Sequence, residues 1–236
     1  MKKFYAMFFM SVFLFCFSLG QTVVNAESAP RTISVQGESD FTVTPDQVSV
    51  EIGIETTGET AQAAAQSNAA VMTKIQNALY NIGLTESDIK TSSYNFYPVY
   101  DKDNSQLISQ YKAENTVIVT TADINQIGSI IDTAVRNGAN NINSVKFGLK
   151  DEKKYKDSAI KAAVLDAKGK ARTIADGLGK SIVNVVSASE SNIYIENYRA
   201  SNVSLKAMSA DMSTTTPINA KDLNVTARIS VTFEIN

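Results

Sequence analysis

The sequence predicts an α+β protein in which helices pack on one face of a mixed β-sheet. Runs of alternating apolar and polar residues, typical of half-buried strands, are interspersed with three segments whose apolar residues recur every three or four positions. The predicted order is β-β-α-β-β-α-β-α-β-β-β. From the second strand to the fifth it contains a split β-α-β-β-α-β unit, followed by an extra long helix and a long C-terminal strand. The other face of the sheet would then be open for assembly.

The predicted element boundaries are placed where the two-residue alternation or the three-to-four-residue recurrence stops and where glycine or proline occurs. The predicted strands are two within residues 32–56 and one each at 89–99, 107–121, 142–149, 182–189, 193–198 and 223–235. The predicted helices are 60–82, 123–137 and 152–178.

Local sequence signals mark the strands, turns and helix end in the first half of the chain. Ile33 and Val35 alternate with polar residues in the first strand, and Pro45-Asp46 marks the turn before the second. Gly83 suits the end of the first helix, because helices commonly end on a glycine with a left-handed backbone. The two middle strands are joined by the polar loop 101–105.

The second helix has a candidate capping box and a glycine stop. Asp123 and Gln126 stand three residues apart, as in a box in which each side chain accepts from the other residue's backbone N–H, and Gly138 follows the last apolar residue.

The third helix is the longest and carries a stripe of small residues. Asp151 is its candidate N-cap, and Gly177 or Gly179 its stop. Because alanine side chains are short, this helix should approach a sheet or another helix very closely. The stripe consists of Tyr155, Ala159, Ala163, Ala167, Ala171, Ile174 and Leu178.

The C-terminal part combines a long loop with a long strand. Residues 199–221 have no apolar period, are rich in Ser, Thr, Asn and Met, and contain Pro217. A stretch of this length is usually mobile or functional. The final strand alternates over 223–235, which is long against a usual length of about 5–6 residues. It should therefore bend or pair with more than one partner.

The N-terminus has the pattern of a secretory signal peptide. Lys2 and Lys3 precede an apolar run, and Val24 and Ala26 are small residues at the positions before a cleavage site. The sequence therefore predicts a signal peptide at 1–26 and a single exported domain at 27–236. The alternative is an uncleaved anchor, although the apolar run is short for a membrane span. Nothing else in the chain is apolar for long enough to span a membrane.

Composition excludes several kinds of chemistry. The chain has one cysteine and no histidine, and Cys16 lies inside the predicted signal peptide. The exported chain would therefore lack disulfides, thiol nucleophiles, histidine bases and cysteine-based zinc sites. The formal net charge of −2 argues against nucleic acid as a partner and offers no polybasic site for anionic lipid. No cofactor, metal or catalytic residue is predicted.

Two short motifs resemble catalytic or phosphate-binding signatures. Gly179-Lys180-Ser181 matches the tail of a P-loop, but Ile174 stands where the first glycine is needed, and a helix stop is the simpler interpretation. Ser87 with Lys90, and Ser158 with Lys161, match Ser-x-x-Lys, but the other elements of the penicillin-binding enzymes are missing.

Acidic residues offer two further candidate sites. Asp101 and Asp103 lie in a loop, as calcium ligands do, but the glycine and the final glutamate of an EF-hand are absent. Glu51 and Glu55 share one face of a predicted strand, and a carboxylate pair can hydrolyse glycosides. A solvated or subunit-facing edge is the simpler interpretation of the two glutamates.

A tyrosine cluster and two methionines are candidates for binding and for scavenging oxidants. The cluster surrounds the predicted hairpin and could form a sticky surface or pack under a loop. Its members are Tyr94, Tyr97, Tyr100 and Tyr111. Met208 and Met212 lie in the long loop and could react with oxidants.

Four stretches, in this order and spacing, resemble the SIMPL family, whose members include bacterial periplasmic immunogenic and oxidative-stress-defence proteins. Together they cover nearly the whole chain after the signal peptide. They are 33–38 with 44–53, then 83–91 with Tyr94 and 98–100, then 162–190, and finally 225–235 after Pro217.

The resemblance implies an exported α+β protein without an established catalytic site. It also implies homo-oligomers, in at least one member a ring- or channel-like assembly, together with association with the cell envelope, stress tolerance and recognition by host antibodies. No catalytic residues are carried over. Pro45-Asp46 and Asp88-Ile89 match family motifs, and their implied role is in turn and cap geometry.

The leading hypothesis is therefore a non-enzymatic, envelope-associated protein whose main partner is a second copy of itself, with a role in stress tolerance. The first alternative is an extracytoplasmic module that binds a small molecule or a peptide through the tyrosine-rich hairpin and the long loop. The second is a hydrolase that uses carboxylates or a Ser/Lys pair, for which the residues to substitute are Glu51, Glu55, Ser87 and Lys90.

Overall fold

The computed structural model describes residues 30–196, 199–201 and 216–236, and the side chains of all of these except 199–201. The strands are β1 (Thr32–Val43), β2 (Gln47–Gly58), β3 (Ile89–Tyr100), β4 (Ile108–Thr121), β5 (Asn141–Gly148), β6 (Ile182–Glu196), β7 (Arg199–Ser201) and β8 (Leu223–Ile235). The α-helices of these ranges are α1 (Ala61–Asn81), α2 (Ile127–Arg136) and α3 (Glu152–Gly177). The predicted α+β class is confirmed.

A five-stranded antiparallel sheet contains the split β-α-β-β-α-β unit. Its strand order is β3-β4-β2-β5-β7. The two strands that each helix connects, β2 with β3 and β4 with β5, are therefore separated in the sheet by one other strand. Helices α1 and α2 cover one face of this sheet. The core beneath them is made of branched aliphatic side chains, including Ile52, Ile75 and Ile130, around the buried ring of Phe147.

Local signals in the sequence explain the ends of α1. The Thr60 side chain accepts a hydrogen bond from the backbone N–H of Ala63 at 3.2 Å, which caps the helix start. Gly83 has a φ of 98° just after the helix end, a conformation that residues with a Cβ rarely adopt.

A second, three-stranded sheet pairs the first and last strands of the chain. Its order is β1-β8-β6, all antiparallel, and α3 packs on it. The final strand therefore pairs on both sides, as its length predicts. The sequence pattern predicted one sheet, whereas the described strands form two. Alternation identifies which side chains are buried, but it does not identify which strands pair.

The alanine stripe of α3 allows the helix to lie almost against the strands. Five alanines at four-residue spacing are fully buried against the three-stranded sheet, and they are Ala159, Ala163, Ala167, Ala171 and Ala175. On β1 the matching residue is Gly37. A Cβ at Gly37 would overlap the Ala163 carbonyl oxygen and lie 2.7 Å from the Ala167 Cβ. The close approach therefore requires glycine on the strand as well as alanine on the helix.

Two local predictions differ from the structure. Residues 182–196 form one strand where two were predicted, because a register shift between Glu190 and Asn192 absorbs the break in the apolar pattern. The capping box at Asp123 and Gln126 is also wrong. Asp123 accepts from the Asn125 N–H at 3.1 Å, whereas the Gln126 side chain donates to the Ile82 carbonyl oxygen at 2.9 Å.

Some predictions fall on residues outside the described ranges. These are the signal peptide at 1–26 with its cleavage site after Ala26, and Met208 and Met212 in the long loop. From that loop, the backbone of β7 pairs with β5, and Ile218 packs against the core of the five-stranded sheet. Among the described helices, none has both the length and the apolar character needed to cross a membrane.

Candidate functional site

The structure keeps the two candidate catalytic glutamates apart. Glu51 and Glu55 lie four residues apart on β2, which corresponds to roughly 13 Å along a strand. The carboxyl groups of glycosidases stand about 5 to 9.5 Å apart. Glu55 is also engaged with Lys112, whose ammonium lies 2.7 Å from its carboxylate. This pair is therefore not arranged for hydrolysis.

Neither serine of the Ser-x-x-Lys motifs is hydrogen-bonded to its lysine within the described chain. The Ser87 hydroxyl contacts the Thr85 hydroxyl at 2.7 Å, in the short 3-10 turn that precedes β3. The Ser158 hydroxyl donates to the Lys154 carbonyl oxygen at 2.9 Å, one helical turn back along α3. A serine nucleophile needs a neighbouring base, and neither serine has its lysine in that position.

The loop aspartates shape a turn. One carboxylate oxygen of Asp101 accepts from the backbone N–H groups of Asp103 and Asn104, at 2.9 and 3.1 Å. Such local bonds are typical of Asx turns. Across the part of the chain that the structure describes, no three Asp, Glu, Cys or His side chains are grouped as metal ligands would be.

The two family-like motifs and the P-loop-like motif all have structural roles. Thr85 and Asp88 form a capping box in the short turn, and hydrogen bonds from Thr85 hold the pKa of Asp88 below its ordinary value. Asp46 accepts from the Lys150 N–H at 2.7 Å, tying the start of β2 to the segment before α3. Gly179 has a φ of 66° and stops α3, as the helix-stop interpretation predicts.

The hairpin formed by β3 and β4 is rich in exposed aromatic side chains. Tyr94, Tyr97 and Tyr100 are exposed, and Phe96 stacks on Tyr111 with ring centroids 5.9 Å apart. The last pair between β2 and β4 joins Gly58 to Tyr111, so residues 99–110 extend beyond the neighbouring strand. We refer to residues 99–110 as the hairpin tip. The sequence correctly singled out the cluster, and its exposure favours the sticky surface over packing under a loop.

A charged network fixes the base of this hairpin. The Tyr97 hydroxyl donates to a Glu114 carboxylate oxygen at 2.7 Å, and Lys112 lies near Tyr97, Glu114 and Glu55. The hydrogen bond from Tyr97 holds the pKa of Glu114 below its ordinary value, and the bond to Glu55 raises the pKa of Lys112. These contacts lie on the face of the sheet opposite α1 and leave the tip itself uncovered.

The second distinctive surface lies between α3 and β6. A groove of about 720 Å³ opens there, and Val183 is 62% exposed beside it. Its lining is mostly apolar, from Val164, Ala175, Ile182, Val183, Val185, Ala188, Val231 and Phe233, with Lys168, Arg172 and Asp176 on the helix side. We call this surface the α3–β6 groove. In the described residues β6 pairs only with β8, so its outer edge carries no strand.

The opposite edge of the same sheet is covered by side chains of α3. The Asp166 carboxylate accepts from the Glu38 backbone N–H at 2.8 Å, and Lys170 donates to the Gln36 carbonyl oxygen at 3.0 Å. Asp166 and Lys170 also form an ion pair at 2.7 Å. Lys170 and the Glu38 N–H together hold the pKa of Asp166 below its ordinary value. No α3 side chain makes such a bond to β6 among the residues described.

The α3–β6 groove is not predicted by the sequence pattern. One signal was present, because residues 182–189 are a strand with no charged residue, whereas β1 contains Glu38 and Asp40. Natural edge strands usually carry charges or proline that prevent pairing with another chain. The uncharged residues 182–189 would therefore be expected at the centre of a sheet, whereas the structure places them in an edge strand that continues through Glu190 to Glu196.

These features define a class: an α+β protein with a split β-α-β-β-α-β unit, a second three-stranded sheet under an alanine-rich helix, and an exposed aromatic hairpin. The chain belongs to the SIMPL family. The family model, described as a protein of unknown function (DUF541), matches residues 33–233. The family expected from the sequence is therefore confirmed.

The similarity to individual proteins extends over nearly the same length as the family match. The chain is 28% identical over 215 residues to a 26 kDa periplasmic immunogenic protein of Brucella melitensis, covering 87% of this chain and 85% of the relative. It is 27% identical over 215 residues to the protein of the same name from Brucella abortus, with the same coverage of 87% and 85%. It is 25% identical over 205 residues to the uncharacterized protein YggE of Escherichia coli K12, covering 86% of this chain and 80% of the relative.

Proposed function

We propose that the protein is an exported, envelope-associated, non-enzymatic protein that works as a homo-oligomer. The observation that carries the proposal is the uncovered edge of β6 beside an apolar groove. Such an edge pairs readily with other chains, and an exposed apolar patch marks a contact site. The alanine-rich helix and the covered β1 edge leave β6 as the open side of this sheet.

Export is supported by the signal-like N-terminus and by the periplasmic names of the Brucella relatives. Cleavage after Ala26 would release residues 27–236. Mass spectrometry of the protein recovered from the producing cells tests this point. A mass that retains residues 1–26 would support the uncleaved anchor.

Light scattering on the purified 27–236 chain tests the assembly. We expect a mass above that of one chain, with the assembly dissociating on dilution only at low concentration. A monomer at every concentration would overturn the proposal. Ring formation, if it occurs, would appear as closed particles by electron microscopy, whereas filaments would show that the contact does not close.

The non-enzymatic part of the proposal is supported by the separation of the candidate groups. Glu51 and Glu55 are too far apart for a carboxylate pair, and Ser87 is bonded to Thr85 rather than to Lys90. Panels of ester, glycoside and peptide substrates provide the test. An activity that disappears on substitution of Glu51, Glu55, Ser87 or Lys90 would show that the protein is an enzyme.

A role in stress tolerance is supported by the family resemblance. A strain lacking the protein should survive oxidants less well than one that expresses it. Rescue by the wild-type chain and not by a variant that remains monomeric would connect the role to assembly.

The same groove favours one alternative, a module that binds a small molecule or a peptide. Its volume of about 720 Å³ lies within the range of about 300–1,000 Å³ found for ligand sites. Thermal-shift screening with metabolites and cell-wall fragments tests this, because a ligand of the native state raises the melting temperature. A hit that is lost in Val183→Glu would favour the alternative over assembly.

A further inference from the structure

We propose that the hairpin tip of one copy docks in the α3–β6 groove of the next copy, an inference that rests on the homo-oligomer proposed above. The two surfaces are the protruding and the concave apolar features of the described chain. No residue of the hairpin lines the groove of its own copy. The contact would therefore form between molecules.

The tip has the shape and the side chains of an inserting element. Residues 99–110 extend past the last β2–β4 pair, and the charged network at Lys112 and Tyr97 holds their base. Tyr100, Leu107 and Ile108 are exposed there, with Leu107 at 58%. A rigid tip loses little conformational freedom on binding, because its backbone is already ordered by the strand pairing and by the Asp101 turn.

The groove offers a matching receptor. Val183 and Val185 line one wall and are themselves exposed, while Val164 stands on the helix side. Burying the Tyr100 ring and the Leu107 side chain in such a groove is favourable, because both would remove apolar area from water.

Charge favours a second copy as the occupant. Lys168 and Arg172 line the groove, and neither has a carboxylate within ion-pair distance in the described part of the chain. The tip carries Asp101 and Asp103, and the Asp103 carboxylate likewise has no cationic partner among the described residues. Opposite charges on two docking surfaces fix their orientation and speed their association.

The remaining charges are reciprocal. Asp176 lines the same groove, and Lys102 lies between the two tip aspartates. The groove thus carries two positive charges and one negative charge, whereas the tip carries two negative charges and one positive charge.

The geometry makes the contact heterologous. Because the tip and the groove are different surfaces, each copy would present one of each. Repetition of such a contact produces a closed ring or an open filament rather than an isolated dimer. Pairing of β6 with β6 of a second copy would instead be isologous and would stop at two copies.

Two double variants test the two sides separately. Tyr100→Ser with Leu107→Ser removes apolar side chains from the tip, and Val183→Glu with Val185→Glu places charges in the groove. All four residues are exposed, so circular dichroism and the melting temperature should remain close to wild type. Tyr80→Ser on α1 is the matched control, because Tyr80 is exposed outside both surfaces.

We expect both double variants to be monomeric by light scattering at concentrations at which wild type and Tyr80→Ser assemble. The decisive sample is a 1:1 mixture of the two variants. The groove of the tip variant and the tip of the groove variant are both intact, so the mixture should form a heterodimer and nothing larger. A tip variant that still self-associates, or a mixture that stays monomeric, would overturn the inference.

A charge reversal provides a second test that does not alter apolar residues. Asp103→Lys and Arg172→Glu should each weaken assembly by about tenfold, and the two together should recover most of the loss. Equal losses that simply add in the combined variant would count against this pairing of surfaces. If wild type itself is a monomer, the proposed homo-oligomer fails. If wild type assembles while the tip variant does too, only the docking mode fails.

Discussion

The two edge strands of the three-stranded sheet differ in how their outward backbone groups are covered. On β1, Asp166 and Lys170 of α3 bond to the outward backbone groups of Glu38 and Gln36, and the strand carries charges of its own. On β6, residues 182–189 carry no charge, although Glu190 and Glu196 follow in the same strand. In the described residues no strand pairs with its outer edge and no α3 side chain is hydrogen-bonded to it. Natural proteins generally protect their sheet edges, so the difference between the two edges supports the assembly proposed above.

The largest expected effect comes from breaking the covered side. Gly37→Val places a side chain where the Ala163 carbonyl oxygen and the Ala167 Cβ already lie, so α3 must move away from β1. We expect a loss of about 3 kcal/mol in the free energy of unfolding, measured by urea denaturation. Gly169→Ala is the control, because Gly169 lies on α3 with nothing near its added Cβ, and it should be neutral or stabilising by up to about 1 kcal/mol. Equal behaviour of the two variants would contradict the close approach.

Removing the two α3 side chains that cover β1 should have the next largest effect. Asp166→Ala with Lys170→Ala removes the hydrogen bonds to the Glu38 N–H and the Gln36 carbonyl oxygen and exposes both groups to water. We expect the free energy of unfolding to fall by about 1–2 kcal/mol and aggregation to increase. Lys153→Ala with Asp157→Ala removes an exposed ion pair on the same helix and should cost less than about 0.5 kcal/mol. If both variants behave alike, the bonds to β1 do not protect the edge.

The protection of β1 should also depend on pH. The folded state lowers the pKa of Asp166 below 3.8, so its contribution is present above that value and is lost as the pH falls through the folded pKa. Wild type should therefore melt higher than Asp166→Asn at neutral pH, and the difference should shrink as the pH is lowered below about 4. A difference that stays constant down to about pH 2 would show that the carboxylate charge contributes nothing.

The smallest effect on folding is expected on the open edge. Val186→Lys gives β6 a charge of the kind that protects β1, at an exposed position outside the groove lining. The free energy of unfolding should change by less than about 0.5 kcal/mol, and light scattering should stay close to wild type, because the proposed contact uses the groove lining rather than the strand edge. Weakened self-association would show that the edge of β6 itself takes part in assembly.

Much of the architecture could be predicted from local patterns. Helix α3 was expected at 152–178 and is Glu152–Gly177, and the final strand was expected to have two partners and does. These elements depend on side-chain period and on caps, which neighbouring residues determine. The division into two sheets was not predicted, because strand pairing depends on contacts distant in sequence, such as that of Ile33 with Phe233.

The two candidate surfaces differ in how far the sequence predicts them. The tyrosine cluster can be recognised in the sequence, but whether its side chains are exposed depends on the folded structure. The groove was not predicted, since Lys168 and Val183 belong to elements whose relative placement no local pattern determines.

The central position of β8 has a consequence for how the chain matures. Strand β8 lies between β1 and β6, so this sheet cannot close until residues 223–235 have been synthesised. The five-stranded sheet draws its two helices and four of its strands from residues 47–148, and this part can form earlier. A chain cut short before residue 223 would leave β1 and β6 without their shared partner. The α3–β6 groove, which includes Val231 and Phe233 of β8, can therefore form only after β8 has been synthesised.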